Sequence, residues 1–184
     1  AWRTSSPEAL DEAAKRVEAA GIQGEWVEVH KIGRAYRFTG PFGHTLTLHW
    51  DVTRHHDTEG DAASIYPDRP SRRSKVAGAP RQLDHVTIAT TDPETDAGWL
   101  RETLGHRYME YTVIPDRPDF VVFAMTTVCE RSHDLGLVWD PSGVPARVNH
   151  VAYFVDSREE LLRVADVLLN ADVAIEFGPG KHGM

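Results

Sequence analysis

Arg147 to Asp156 reads RVNHVAYFVD, a largely apolar run holding one histidine, His150. Successive side chains of an extended strand point to opposite faces, so Val148, His150, Ala152 and Phe154 face one way. A histidine on that face looks toward whatever the strand encloses. Leu83 to Ala89 (LDHVTIA) repeats the pattern, with Leu83, His85, Thr87 and Ala89 on a shared face. Each of these segments leads through a turn into an amphipathic helix. Two equivalent strands, each with one inward histidine, suggest a metal site built by repetition.

Outward from these strands the chain divides into similar units. Ala1 to Ser6 reads as the end of a strand, followed by a helix with Ser6 as N-cap and Pro7 at its first position, ended by Gly21. Leu10, Ala13, Ala14, Val17 and Ala20 form its buried stripe. Residues 24–30, 34–39 and 45–51 alternate apolar and polar between glycine-containing turns, as consecutive antiparallel strands do. This unit reads βαβββ. Residues 52–80, rich in Arg, His, Asp, Ser and Pro, read as a connector. A second βαβββ unit follows: a strand over 83–90, a helix over 93–104 stopped at Gly105, and strands near 107–113, 120–128 and 134–139. A third opens at Arg147, with a helix over 157–170 and a strand near Val173 to Phe177. The first and third units match at a constant offset of 151, which pairs Ser6 with Ser157, Glu8 with Glu159 and Leu10 with Leu161. The third unit lacks its last two strands. An incomplete unit leaves an open sheet edge, so the chain is expected to be a piece of a longer protein.

The 184 residues are enough to bury a sizeable core, and 41% hydrophobic with 26% charged residues is ordinary for a folded protein. A net charge of −8 disfavours nucleic acid and anionic membranes as partners. The single cysteine, Cys129, excludes an internal disulfide framework and any multi-cysteine zinc site. No apolar run approaches a membrane span and the first twenty residues do not form a signal sequence, so the cytoplasm is expected.

The ten histidines divide by position. His30, His44, His49, His55, His56 and His106 fall at strand ends, in turns or in the connector, where solvated or capping imidazoles are the ordinary reading. His55 and His56 are adjacent and point apart on an extended chain, so they make no joint ligand pair. His85 and His150 differ, because side-by-side units would bring their two strands together and place both imidazoles in one cup. Two neutral imidazoles with a carboxylate, leaving coordination positions open, suit non-haem Fe(II) that takes substrate and O₂ together. His133 opens the run HDLGLVWD, in which His133, Leu135, Leu137 and Trp139 share a face. If that face is the cup, His133 is placed to move protons on and off a substrate. His182 lies in the Gly-rich segment GPGKHG.

These segments (LDHV at 83–86, HD at 133–134, NHVAYFVD at 149–156 and EFGPGKHG at 176–183) resemble the type I extradiol ring-cleaving dioxygenases of the vicinal oxygen chelate superfamily, the catechol 2,3-dioxygenases among them. FGHTLTL at 42–48 is similar to the second module of that family's non-catalytic N-terminal half. The resemblance implies an α+β fold of repeated βαβββ modules forming open half-barrels, cut short at both ends. Residues 1–51 would be a module of the non-catalytic half, 52–80 the connector and 81–184 the catalytic half, with modules at 81–146 and, incomplete, at 147–184. His85 and His150 would be metal ligands for Fe(II), with Mn(II) as the other candidate. His133 would be the acid/base residue, and His182 would act in catalysis and hydrogen-bond near the substrate. The family's third ligand, a Glu, and its active-site Tyr would lie beyond Met184.

The implied reaction is meta cleavage of catechol or a substituted catechol by O₂, giving a 2-hydroxymuconic-semialdehyde-type product in aromatic-compound catabolism. Phe123 and Met125 are candidates for the wall that holds the ring, and plain core packing explains them equally well. A homo-oligomer is expected. Two alternatives remain open: a glyoxalase-type metal-dependent lyase or isomerase, whose sites use more carboxylate, and a metal-free small-molecule binding protein, which has no need of paired imidazoles.

Overall fold

The structure is a computed structural model that describes residues 1–53, 80 and 82–181. The connector, apart from its ends, lies outside the described residues, as do His55, His56 and His182. The described residues group into two compact units, one of residues 1–53 and 85–151, the other including 82–84 and 152–181.

The first elements are β1 (Trp2–Arg3), α1 (Pro7–Ala19), β2 (Gly24–Val29), β3 (Gly33–Thr39) and β4 (Thr45–His49). Then come β5 (Gln82–Thr90), α2 (Pro93–Leu104), β6 (Arg107–Ile114), β7 (Arg117–Thr127) and β8 (Leu135–Trp139). The two βαβββ runs share one topology. Their strand orders are β1-β4-β3-β2 and β6-β7-β8-β5, and in each the opening strand pairs in parallel with the closing one. The pairings of β2 with β3, β3 with β4, β6 with β7 and β7 with β8 are antiparallel.

Local chemistry sets the helices. The Ser6 hydroxyl accepts from the Ala9 amide and Pro7 sits at the first position of α1. In α2 the Asp92 carboxylate accepts from the Thr95 amide, and Gly105 closes the helix in the left-handed conformation (φ 76°) that a side chain would strain. Leu10, Ala13, Ala14 and Val17 are buried as expected. Ala20 is exposed, because it caps the helix rather than belonging to its stripe. One buried cluster joins these residues to Tyr36, Phe38 and Leu48 and to Ile88, Leu100, Leu135 and Leu137.

β9 (Val148–Phe154) adds to the second sheet beside β5, and α3 (Arg158–Asn170) follows, with Ser157 as N-cap. No residue of α3 is buried among the described residues. The strand expected near Val173 to Phe177 is not formed. The Val173 amide donates back to the Leu168 carbonyl at 2.9 Å, so the chain there finishes the helix instead of extending beside a neighbour. No described helix is long and apolar enough to cross a membrane.

Two histidines expected to be solvated or capping are buried. His49 donates from Nδ1 to the Asp51 carbonyl at 3.0 Å. His106, immediately after the Gly105 cap, turns inward against the edge of Trp2 and pairs Nδ1 with the Thr126 hydroxyl at 3.0 Å. Burial pushes the His106 imidazole down to about 4 from an ordinary value of 6.5, and the Asp134 charge opposes this only weakly. The unfolded chain therefore takes up a proton at a pH where the folded ring stays neutral. Stability is full above pH 6.5 and declines as pH falls toward 4. Between pH 7 and pH 4.5 this group is expected to cost about 2–3 kcal/mol. Urea titrations at the two pH values check it: a His106→Gln variant should show a correspondingly smaller pH slope, and an equal slope would refute the assignment.

Candidate metal centre

β5 and β9 are sheet neighbours, and each carries one histidine to the same place. Nε2 of His85 and Nε2 of His150 lie 3.0 Å apart, with the rings nearly perpendicular at 81°. Both strands alternate, so the face that carries His85 and Thr87 is opposite the face that sends Ile88 into the core.

The hydrogen bonds indicate which nitrogens face the cup. Nδ1 of His150 is 2.8 Å from Oδ1 of Asn149, an amide oxygen that can only accept, so this nitrogen carries the proton. Nε2 then presents a lone pair. The Thr87 hydroxyl, almost fully buried, lies 3.2 Å from it, and Nε2 of His85 lies 3.0 Å from it. Two nitrogens bound about 2.1 Å from one metal ion and about 90° apart are separated by about 3.0 Å. The imidazole pair therefore fits a divalent metal as two adjacent donors. It is an incomplete set. Among the described residues no group of three His, Cys, Asp or Glu side chains is placed to hold a metal ion.

His133 joins the pair as a ring contact, with its centroid 4.0 Å from that of His85. It is buried, and its Nδ1 is 3.1 Å from the Ser132 hydroxyl. The expectation that it shares a face with Leu135 and Leu137 is overturned. Those leucines pack into the core, whereas His133 meets His85 on the opposite face. The physical reason is that β8 begins only at Leu135, so strand alternation does not extend back to residue 133.

Phe123 and Met125 lie across from Val138 and Gly136, on the face of the sheet that carries Thr87. Gly136 is a point of close approach. A Cβ built there would stand 2.6 Å from the Thr87 hydroxyl and 2.9 Å from the tip of the Phe123 ring. The absent side chain leaves room for both the Phe123 ring and the Thr87 hydroxyl above Gly136. The sequence places Thr87 on the face of His85, two residues on, but gives it no role; Asn149 carries no comparable signal.

A family model described as Glyoxalase/Bleomycin resistance protein/Dioxygenase superfamily matches residues 82–184. The chain is similar to a manganese-dependent 2,3-dihydroxybiphenyl 1,2-dioxygenase of Geobacillus genomosp. 3, with 35% identity over 100% of this chain and 58% of that protein. It is also similar to a metapyrocatechase of Geobacillus stearothermophilus, 28% identical over 100% of this chain and 55% of that protein. The chain thus spans a little over half the length of these relatives. Among solved structures it resembles the 2,3-dioxygenase LapB from Pseudomonas sp. KL28, with a TM-score of 0.78, 22% identity, and coverage of 98% of this chain and 62% of that one. Homoprotocatechuate 2,3-dioxygenase from Arthrobacter globiformis gives a TM-score of 0.78 at 23% identity, covering 98% of this chain and 52% of that one. These likenesses bear out the vicinal-oxygen-chelate fold expected from the repeated units.

Proposed function

The chain belongs to the glyoxalase/bleomycin resistance protein/dioxygenase superfamily, and from that premise we propose that it is part of an extradiol dioxygenase whose metal is held by His85 and His150. The observation that carries this reading is the 3.0 Å separation of the two Nε2 atoms on neighbouring strands. The relatives named as manganese-dependent dioxygenase and as metapyrocatechase support the reaction class. Residues 81–184 are the catalytic part in this reading, and 1–51 a module of the non-catalytic half.

The substrate is a catechol or a substituted catechol. One O₂ is consumed per ring, the carbon–carbon bond beside the diol breaks, and both oxygen atoms enter a ring-opened semialdehyde of the 2-hydroxymuconic type. Fe(II), or Mn(II) in its place, would supply Lewis acidity toward the two diol oxygens and an electron path between ring and O₂. The chain's own residues do the rest. Asn149, which accepts from Nδ1, holds the His150 ring with Nε2 toward the cup, and the Thr87 hydroxyl lies beside that nitrogen. His133, beside His85, takes a proton from the diol and returns one as the ring opens. Phe123 and Met125 form the apolar wall against the ring, and His182 hydrogen-bonds to the substrate.

An oxygen-electrode assay on the metal-loaded full-length protein tests this. One O₂ per catechol with the yellow colour of a ring-opened product is expected. Metal-loaded protein that binds catechol and consumes no O₂ would return the choice to a lyase or a binding protein.

A further inference from the structure

We propose that Asp134 is the positioning residue for His133, holding the acid/base imidazole against His85 through hydrogen bonds that tie the loop between β7 and β8. This rests on the proposed role of His133 and goes beyond it. The Asp134 carboxylate accepts from the Val128 amide and the Thr127 hydroxyl, both at 2.8 Å, and from the Cys129 thiol at 3.1 Å. Its backbone ties the loop to β7 and to β5: the Asp134 amide donates to the Thr126 carbonyl at 2.9 Å, and its carbonyl accepts from the Val86 amide at 3.1 Å. Val86 is the neighbour of His85. The same residue therefore closes the loop and sets its register against the strand that carries the first histidine.

The consequence for His133 is geometric. Simple alternation back from Leu135 would send residue 133 to the core face, and the tied loop delivers it to the other face instead. Burial raises the Asp134 carboxyl, but the bonds from Val128, Cys129 and Thr127, together with the Arg131 charge, outweigh it and keep the group below the ordinary carboxylate value. Charge-assisted hydrogen bonds to an ionised acceptor are the stronger kind, which suits a pin.

The test uses the metal-loaded full-length protein and Asp134→Asn. The isosteric amide cannot accept at both ends, and kcat is expected to fall about 10-fold with KM and metal content unchanged. In a His133→Gln background the same substitution should change kcat less than about 2-fold, because a residue acting through His133 has nothing left to position. Losses that multiply in the double variant would overturn the proposal. A second readout is independent of turnover: ring-to-ring NOEs between His85 and His133 in the metal-free protein should be present in wild type and lost in Asp134→Asn, and their retention would also overturn it. Thr127→Val removes one donor to the carboxylate without altering Asp134. It should move kcat and the NOEs the same way by less, and it decides the matter if Asp134→Asn does not fold. If His133→Gln alone leaves kcat unchanged, the role given to His133 fails, while the NOEs still report whether Asp134 positions the ring.

Discussion

Replacing His150 with Ala is expected to lower the affinity for Fe(II) and Mn(II) at least ~100-fold and to remove ring-cleaving activity with it. Outer partners of a metal ligand typically account for 10- to 100-fold in affinity, so loss of the ligand itself costs no less. The geometry makes the loss specific. His150 is exposed and packs no core, so the change removes a donor without opening a cavity. His85 is left as a single imidazole, and the Thr87 hydroxyl loses the ring nitrogen beside it. Melting curves give a measurement free of turnover. Mn(II) at ~100 times its dissociation constant should stabilise the wild-type protein by about 2.7 kcal/mol, and the same concentration should stabilise the variant by no more than about 0.4 kcal/mol. A variant that still binds one Mn(II) with wild-type affinity would remove His150 from the ligand set.

The pairing of His85 with His150 was legible in sequence because it rests on strand alternation, which is local and strict. His85 and His150 occupy equivalent positions in two strands that open equivalent units, and topology makes those strands neighbours. The boundaries of α2 were legible for the same kind of reason, since Asp92, Pro93 and Gly105 act on the chain immediately around them. Features that depend on distant partners were not. His106 reads as a residue after a helix stop; its burial depends on Trp2 and Thr126, far away in the chain. A strand near Val173 has the right residues, but a ladder needs a neighbour, and the amide is taken by the last turn of α3. The direction of His133 is of the same kind: strand alternation holds only from Leu135 onward, and His133 lies in a loop held by three hydrogen bonds to the Asp134 carboxylate.

With His133 as the proposed acid/base residue, proton transfer and metal binding are separable by substitution. His133→Gln is expected to lower kcat by ~10²–10⁴ with metal content and KM close to wild type. Cleaving a catechol beside its diol requires a proton to leave the diol and a proton to be returned to oxygen later. The His133 ring stands 4.0 Å from that of His85, close enough to a diol held at the centre, and its buried position keeps bulk water from doing the work. Glutamine keeps a hydrogen-bond donor of similar reach and cannot carry a proton. Phenylalanine keeps only the shape. If proton transfer is the main contribution, Gln and Phe should fall by similar factors; if the ring mainly stabilises developing charge by hydrogen bonding, Gln should retain about 10- to 100-fold more activity than Phe. Single-turnover mixing of the catechol complex with O₂ separates this step from product release. A kcat within twofold of wild type in both variants would show that the proton is moved by another group and that His133 only packs against His85.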